Sequence, residues 1–457
     1  MHDPTDTIVA VSTPPGRGGI AVVRSSGPLA PSIVSGCLTR DIGLAAKPRQ
    51  VLLAHFADRS GQVIDRVLVT FFPEPASYTG QHVVEISCHG SVPVTAAIVR
   101  ELMGRGMRLA TPGEFTLRAF LNGKLDLSQA EAVRDLIDSR TEYQARLARE
   151  QLEGALSRVL RPVRNELVRI ISQLETAVEF VEEDVTPEGR ETLEGALESV
   201  VQRLKGLERG FGYGRLVQEG AQIVIVGPPN AGKSSLFNAL LREDRAIVTE
   251  IPGTTRDALK ETIDVGGIPA HLIDTAGIRP GGDRLERAGI EKSYEYLKSS
   301  NVVCLVVDGS KPFGKEEWGV WEAVRGLPFV AVVNKADLAQ VAQIPDEVRR
   351  SARAVTYVSA LLGTQIEDLL ETLAGLLSRD RSGEWDGPIV SNLRQQQCLL
   401  AARQHVEKGV EAYRRGLSEE FALYDLRKGL EAIGQVTGEA GVEEILEAIF
   451  STFCIGK

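Results

Sequence analysis

Hydrophobic and polar positions form different patterns in successive parts of this 457-residue chain. Up to about residue 122, short apolar runs separated by glycine- and proline-containing turns predict strands over 8–11, 20–23, 67–72 and 83–86. A stretch with helical periodicity, SVPVTAAIVRELMGRG, follows them. The first 122 residues are therefore predicted to form a mixed domain of strands and helices.

The rest of the chain divides into three parts. Residues 123–216 and 382–457 have helical periodicity. Between them, over 217–381, short apolar runs such as AQIVIV and FVAVVNKAD alternate with helical stretches, which is typical of a buried parallel sheet. The pattern predicts a helical bundle interrupted by an inserted parallel-sheet domain. The whole chain is thus expected to be a multidomain protein of the α/β plus α type.

Three local signals predict how the first helical part is divided. Ser128 and Glu131 have the spacing of a capping box, which predicts a helix start. Pro162 is expected to open the next helix, because its missing N–H is tolerated there. The glycine-rich stretch Gly210–Gly214 predicts a flexible joint before the inserted domain.

Charge and cysteine usage narrow the classes of function. The formal net charge of −10 repels nucleic acid, so RNA contact requires a local basic patch or a second protein. The five cysteines (37, 88, 304, 398 and 454) are scattered and never spaced as CxxC. That argues against a disulfide framework or a zinc site and indicates a reducing cytoplasm. The sequence also has no signal-peptide pattern and no apolar run of the roughly 20 residues that span a bilayer.

The stretch GPPNAGKS has the features of a phosphate-binding loop between a strand and a helix. Gly227 and Gly232 let backbone N–H groups face an anion at the positive end of the following helix. Lys233 is expected to reach the β- and γ-phosphates, and the Ser234 hydroxyl is expected to bind Mg²⁺. A chance loop is the alternative, and the strand–loop–helix context argues against it.

Further motifs follow in the order found in GTP-binding domains. Asp274 of DTAG ends a strand and is expected to act on the magnesium through its hydration shell. Asn334 and Asp337 of NKAD indicate guanine, because one carboxylate can accept two donors that adenine does not offer. Ser359 and Ala360 are expected to supply backbone around the base, and GTTRD a threonine that senses the γ-phosphate. This set of motifs predicts a GTPase domain.

Together these motifs resemble the MnmE (TrmE) family of tRNA modification GTPases over essentially the whole chain. The matching stretches include GPPNAGKSS, TEIPGTTRD, DTAGIR, LERAGIE, NKAD, the terminal FCIGK and GEFTLRAFLNGKLDLSQAEAVRDLI. The resemblance implies a homodimer that acts with an FAD-bearing MnmG-type partner, in a heterotetramer, on the wobble uridine of certain tRNAs. The reaction implied is addition of a carboxymethylaminomethyl-type group to carbon-5, with the one-carbon unit taken from tetrahydrofolate and with the FAD on the partner.

The resemblance also implies how GTP is hydrolysed. The residue after DTAG is Ile278, which cannot orient water as the glutamine of Ras-like proteins does. Family members use potassium in place of an arginine finger, and the matching ligands are Asn230, Thr249, Ile251 and Thr254. Glu286 matches the catalytic glutamate, although by itself it reads as a solvated helix carboxylate.

Magnesium is assigned to Ser234 and Thr255. The full set of expected GTP contacts is Asn230, Ala231, Gly232, Lys233, Ser234, Ser235, Thr249, Glu250, Ile251, Pro252, Gly253, Thr254, Thr255, Asp274, Thr275, Ala276, Gly277, Asn334, Lys335, Ala336, Asp337, Ser359 and Ala360.

Residues 1–122 are implied to form a tetrahydrofolate-binding and dimerisation domain. The family's folate contacts match Arg24, Glu85, Lys124 and Lys457, whose types suit a donor-rich pterin edge and an anionic tail. A dinucleotide motif in GRGGIA is rejected, because β-branched strand residues follow it instead of a helix. Cys88–His89 looks like a dyad but lacks a third member, which favours a structural role.

The chain ends in FCIGK, where Cys454 has three interpretations. A helical apolar stripe through Phe453 predicts that the last helix packs, so the thiol leaves a fixed helix end. Prenylation is disfavoured, because Gly456 and Lys457 do not suit a lipidation box. The resemblance implies a reactive or site-forming thiol, whose chemical role stays open, and a spare buried thiol is the remaining alternative.

Two other functions stay open at this point. A GTP-switched factor for RNA or ribosome assembly would carry a basic RNA-binding module after the GTPase domain, whereas an acidic helical segment follows here. A regulatory scaffold without transfer chemistry would not need Cys454.

Overall fold

The computed structural model describes residues 6–179, 190–242, 260–274, 295–378, 389–416, 418–439 and 443–456. The chain forms two compact units. The first contains residues 1–134, 152–154 and 434–457, and the second contains 135–151 and 155–433. The four-part domain division expected above stays a prediction. None of the helices in the described ranges has the length and apolar character needed to cross a membrane.

The first unit is built on a six-stranded sheet. In chain order its strands are β1 (Ile8–Val11), β2 (Gly18–Ser26), β3 (Leu52–Ala57), β4 (Val63–Phe72), β5 (Val83–Gly90) and β6 (Arg108–Leu109). Their spatial order is β3-β4-β5-β2-β1-β6, antiparallel except for the β1–β6 pair. All four predicted strands are confirmed. Helices α1 (Ala30–Gly36) and α2 (Val92–Gly104) bury Val34, Ile98 and Leu102 in the core with the apolar side chains of the strands.

Further helices of the chain are α3 (Glu114–Leu121), α4 (Leu127–Asp138) and α15 (Glu443–Phe450). The predicted capping box at Ser128 and Glu131 is wrong, because the helix begins one residue before Ser128. The reciprocal bonds join Asp126 and Gln129: the Gln129 N–H donates to the Asp126 carboxylate (2.8 Å), and the Gln129 side-chain oxygen accepts from the Asp126 N–H (2.9 Å).

The last helix packs as its apolar stripe predicts. Ile449, Phe450 and Phe453 are buried in one cluster with residues of α4, among them Leu127 and Val133. The rings of Phe450 and Phe453 are 5.4 Å apart. The end of α15 is therefore held in a fixed position against α4.

The second unit contains a group of long helices. They are α5 (Glu142–Leu152), α6 (Ala155–Glu179), α7 (Arg190–Arg209), α8 (Phe211–Glu219), α13 (Leu393–Arg414) and α14 (Glu419–Thr437). Pro162 lies inside α6, so the predicted helix start there is wrong. Leu156 and Leu160 are buried ahead of it, and their burial stabilises the helix on the N-terminal side of the proline.

The predicted flexible joint at Gly210–Gly214 is also wrong, because helix α8 begins at Phe211. Phe211 and Tyr213 are buried, and the Tyr213 ring lies edge-on to Tyr143 at 6.3 Å. A Cβ on Gly214 would lie 2.3 Å from the carbonyl oxygen of Val390. This glycine serves a close backbone approach, whereas the flexible-joint interpretation relied on its conformational freedom.

A second six-stranded sheet carries the phosphate-binding motif. Its strands are β7 (Ala221–Val226), β8 (Lys260–Val265), β9 (Ile268–Asp274), β10 (Val302–Asp308), β11 (Phe329–Asn334) and β12 (Ala354–Tyr357), in the spatial order β12-β11-β10-β7-β9-β8. All neighbours are parallel except β8–β9. Helices α9 (Lys233–Leu240) and α12 (Ile366–Leu377) pack on one face, and α10 (Lys315–Val324) and α11 (Asp346–Ser351) pack on the other. This is the predicted parallel-sheet α/β arrangement.

Candidate functional site

The loop between β7 and α9 has the backbone of an anion-binding site. Asn230 and Gly232 both have positive φ, 61° and 91°, which turns the loop back on itself before the helix. A Cβ on Gly227 would lie 2.3 Å from the carbonyl oxygen of Val306, so only glycine fits there. The Lys233 ammonium donates to the carbonyls of residues 227 and 228 at 2.9 and 2.8 Å and therefore spans the loop.

Two opposing effects act on the pKa of the loop lysine, Lys233. Burial lowers the pKa of Lys233, and the nearby carboxylate of Asp274 acts in the opposite direction. The Ser234 hydroxyl, in the first turn of α9, donates at 3.2 Å to Oδ2 of Asp274, which ends β9 beside β7. A hydroxyl and a carboxylate at this edge are hard oxygen donors, which is the ligand class that Mg²⁺ prefers.

Asn334 joins the phosphate loop to the expected base site. It is 2% exposed and ends strand β11. Its side-chain amide donates to the Ala231 carbonyl at 3.0 Å, and its side-chain oxygen accepts from the Ala360 N–H at 3.0 Å. A Cβ on Gly232 would lie 2.1 Å from the same amide nitrogen. The two loops are therefore held in one fixed relation.

The carboxylate of Asp337 has a defined partner. The buried Ser359 hydroxyl donates to Asp337 Oδ1 at 2.5 Å. The Ala336 N–H donates to the Val358 carbonyl at 3.0 Å, which ties this turn to the segment before Ser359. The structure thus brings together the described members of all three motifs, GKS, NKAD and VSA.

Several predicted site residues lie outside the described part of the chain. They are Thr249, Glu250, Ile251, Pro252, Gly253, Thr254, Thr255, Thr275, Ala276, Gly277, Glu286 and Lys457.

Two of the predicted folate residues lie side by side on neighbouring strands of the first sheet. Arg24 on β2 is in register with Glu85 on β5, and its Nε and Nη2 lie 2.9 and 2.8 Å from Glu85 Oε1. The guanidinium also lies over the rings of Tyr78 and Phe115, at 5.6 and 5.8 Å. Lys124 is exposed just after α3, and no carboxylate in the described ranges pairs with its ammonium.

The Cys88–His89 pair is not a dyad. Burial raises the pKa of the Cys88 thiol to about 11, and the thiol lies 3.5 Å from the Ala21 carbonyl. His89 is exposed and bonds Asp65 instead, through Nδ1 at 2.7 Å. Successive residues of a strand point to opposite faces, which separates the two side chains.

The chain end is attached to the first sheet. The Ser12 hydroxyl donates to the Gly456 carbonyl at 3.0 Å, and the Gly113 N–H lies 3.4 Å from the Cys454 carbonyl. Gly456 has a φ of 97°, and a Cβ there would lie 2.3 Å from the Val11 carbonyl oxygen. Cys454 is exposed, so the interpretation as a spare buried thiol is wrong.

Sequence reasoning missed two residues of these sites. Ser12 gave no local signal, because its partner is 444 residues away. Asp308 holds Lys335 at 2.6 Å and could have been found. It ends a wholly apolar strand, and parallel strands place such residues at the edge of the sheet where ligands bind.

Solved structures that resemble the chain do so only weakly. An Era variant from Aquifex aeolicus bound to GDP.AlF4- is 22% identical, with a TM-score of 0.27 over 40% of this chain and 66% of that one. A GTP-binding protein from Sulfolobus solfataricus in complex with GDP is 19% identical, with a TM-score of 0.27 over 63% and 78%.

Sequence comparisons are much stronger. A family model described as MnmE helical domain matches residues 127–454, and one described as GTP-binding protein TrmE N-terminus matches 7–124. The tRNA modification GTPase MnmE of Koribacter versatilis is 43% identical, covering 99% of both chains. That of Aquifex aeolicus is 38% identical over the full length of both. This chain therefore belongs to the MnmE (TrmE) family of tRNA modification GTPases.

Proposed function

We propose that this protein hydrolyses GTP as part of the modification of the wobble uridine in certain tRNAs. The observation that carries the proposal is the Asn334 side chain, which bonds both the phosphate loop and Ala360, in the segment expected to surround the base. A single residue thus fixes the distance between the phosphate and base contacts.

Guanine selectivity is assigned to Asp337. One of its oxygens accepts the Ser359 hydroxyl, which fixes the carboxylate plane. Guanine offers an N1–H and a 2-amino group side by side, and a carboxylate can accept both. Xanthine has an acceptor where guanine has the amino group, so Asp337→Asn is expected to lose GDP affinity and gain affinity for XDP. Equal affinities of the wild type for GDP and ADP would contradict the assignment.

Ser234 and Thr255 would hold magnesium, as the family resemblance implies, and Asp274 would act on the ion through its hydration shell. Bound Mg²⁺ supplies positive charge that stabilises the phosphate oxygens during hydrolysis. The chain's own contribution is the fixed position of its donors. Ser234 is in the first turn of α9, and Asp274 is in register with Ile225 on the neighbouring strand.

Potassium-dependent hydrolysis is part of the proposal. Asn230 lies in the phosphate loop with positive φ, a position from which its amide oxygen can serve a monovalent cation. Thr249, Ile251 and Thr254 are the other proposed ligands, and Glu286 is proposed to orient the attacking water through a bridging water. Steady-state GTP turnover tests this directly. Turnover is expected to fall at least tenfold when sodium replaces potassium, and equal rates would refute it.

A reduced folate is proposed to bind beside Arg24 and Glu85, with Lys124 and Lys457 as further contacts. Arg24 fixes the Glu85 carboxylate, whose side chain remains 29% exposed, so its outer edge can accept pterin donors. Titration calorimetry of the full chain with tetrahydrofolate tests the site. Glu85→Gln should weaken binding at least tenfold, whereas Glu74→Gln, at an exposed position in the same sheet unit, should leave it unchanged.

The proposed assembly is a homodimer with an MnmG-type FAD protein, acting on tRNA in the cytoplasm. Cys454 is exposed at the end of a helix that is itself packed, which suits a thiol that contacts substrate. Nucleoside analysis of tRNA from a deletion strain should show loss of the carbon-5 modification. Complementation with the wild type should restore it, and complementation with Cys454→Ser should not. Normal nucleosides in the deletion strain would favour an assembly factor.

A further inference from the structure

A second charged pair lies beside the predicted guanine site. Asp308 ends strand β10, and its side chain is 5% exposed. Its Oδ2 lies 2.6 Å from the Lys335 ammonium, and its Oδ1 accepts from the N–H and hydroxyl of Ser310 at 3.0 and 2.6 Å. Both carboxylate oxygens therefore have defined donors, which fix the orientation of the group.

The segment that carries Asp308 also fixes the backbone of the NKAD loop (residues 334–337). The Gly309 N–H donates to the Asn334 carbonyl at 2.8 Å, and a Cβ on Gly309 would lie 2.8 Å from that oxygen. The Gln340 amide donates to the Lys335 carbonyl at 2.9 Å. Lys335 itself has a φ of 64°, which only a well-held non-glycine residue keeps. The segment after β10 thus supports the loop at the Asn334 carbonyl, and Gln340, which follows the loop in the chain, supports it at the Lys335 carbonyl.

Lys335 carries a positive charge two positions before the carboxylate that is proposed to read guanine. An ammonium on a flexible stem is attracted to any nearby carboxylate, and an ion pair between Lys335 and the exposed Asp337 would compete with a base for the same oxygens. Asp337 Oδ1 already accepts the Ser359 hydroxyl, so its remaining accepting capacity decides recognition. The Asp308 carboxylate offers the Lys335 ammonium an alternative partner that is buried and rigid.

We propose that Asp308 is a positioning residue for guanine specificity, which holds the Lys335 ammonium so that the Asp337 carboxylate stays available to the two guanine donors. This inference rests on the proposed guanine site. It assigns to Asp308 no contact with the nucleotide. Its action is electrostatic and passes through Lys335, at 2.6 Å, while the more exposed Lys311 ammonium lies at 4.0 Å from the same oxygen. This separates it from a general role in holding the loop.

The test is a double-mutant cycle with two nucleotides. Dissociation constants for GDP and for IDP, which lacks the 2-amino group, are measured by calorimetry on full-length wild type, Asp308→Asn, Lys335→Met and the double variant. Asp308→Asn is expected to raise the dissociation constant for GDP about tenfold or more. The ratio of the IDP dissociation constant to the GDP dissociation constant, which measures selectivity for the 2-amino group, is expected to fall at least fivefold. In the Lys335→Met background the same change is expected to leave the ratio within twofold, because no ammonium remains to compete.

A purely structural role for Asp308 would lower the ratio equally in both backgrounds, and that result would overturn the proposal. An unchanged ratio in Asp308→Asn would overturn it as well. If the wild type does not prefer GDP over ADP, the proposed guanine site fails first and the inference fails with it. Glu322→Gln, which removes an exposed carboxylate paired to Arg325 on α10, is the matched control and should change neither constant. If Asp308→Asn fails to fold, Asp308→Ser is taken through the same cycle.

Discussion

The buried ion cluster around Glu114 is expected to stabilise the first unit, and removing its central carboxylate should destabilise that unit measurably. Glu114 begins helix α3, and its side chain is 4% exposed. It accepts from Arg108 Nη2 at 2.6 Å, from Arg118 Nη2 at 3.0 Å and from the Thr111 N–H at 2.9 Å. Arg108 and Arg118 also pair with Asp6, so the cluster ties α3 to the start of the chain.

The stability that Glu114 contributes follows from the pKa of its buried carboxyl. Burial by itself would raise the pKa of Glu114, but hydrogen bonds from Arg108, Thr111 and Arg118 outweigh it and lower the pKa from 4.5 to about 2. A difference of about 2.5 pKa units corresponds to about 3 kcal/mol of stability at neutral pH. Because the folded-state pKa is depressed, this stability is fully present above pH 4.5 and is lost as pH falls towards about 2.

Glu114→Gln should therefore destabilise the first unit by about 3–5 kcal/mol, since it also leaves the guanidinium of Arg118, 3% exposed, with one carboxylate fewer. Tryptophan fluorescence does not report on this unit, because all three tryptophans lie between residues 318 and 385, within the second unit. Hydrogen exchange of the full chain, followed in peptides of β1 and α3, measures the effect directly. The amide protection factors of these peptides should fall about a hundredfold or more, which is the change that a loss of about 3 kcal/mol of stability produces.

Glu74→Gln, at an exposed position of the same unit, is the control and should change protection less than threefold. In the wild type, protection corrected for intrinsic exchange should decline between pH 4.5 and about 2, and the variant should lack that decline. A loss below tenfold at neutral pH would show that the cluster does not support the fold as reasoned.

Three further predictions concern the two sites. Gly232→Ala should weaken GDP binding at least a hundredfold by calorimetry, because φ is 91° and the new Cβ would lie 2.1 Å from the Asn334 amide. Gly456→Ala should release the chain end from Val11, whose carbonyl oxygen would lie 2.3 Å from the Cβ, and so speed C-terminal digestion by carboxypeptidase severalfold. Iodoacetamide at pH 8 should label exposed Cys454 much faster than the interior thiols, whose pKa values burial raises to about 11, 11 and 12 for Cys37, Cys88 and Cys304.

Each of these has a matched control. Gly319→Ala, inside α10 with no atom within 4 Å of a new Cβ, should leave GDP affinity unchanged. Gly19→Ala, also without a neighbour within 4 Å, should leave digestion unchanged. Mass mapping should find the fast iodoacetamide adduct absent from Cys454→Ser. Unaltered GDP affinity in Gly232→Ala, unaltered digestion in Gly456→Ala, or equal labelling of all thiols would contradict the respective prediction.

Local sequence patterns were sufficient for most elements, but failed where a neighbour decided the outcome. The strand, loop and helix at 221–240 follow from a short run of adjacent residues, and the structure confirms them. The glycines of 210–214 suggested flexibility by the same local reasoning, yet they are helical from residue 211. Gly214 is small so that the Val390 backbone can approach it, and nothing within five residues of it carries that information.

The sequence by itself determined four of the six strands of the first sheet, buried strands of the second such as β7 and β11, the phosphate loop and the motif residues that indicate guanine, because each depends on neighbours a few positions apart. Only the tertiary structure decided that Arg24 fixes Glu85, that Ser12 holds the chain end and that Asp308 holds Lys335, pairs separated by 61, 444 and 27 positions. Such pairs form when folding closes long loops and packs each sheet against the helices of its own unit. The free energy that selects them is shared over the whole core, so no local pattern records them.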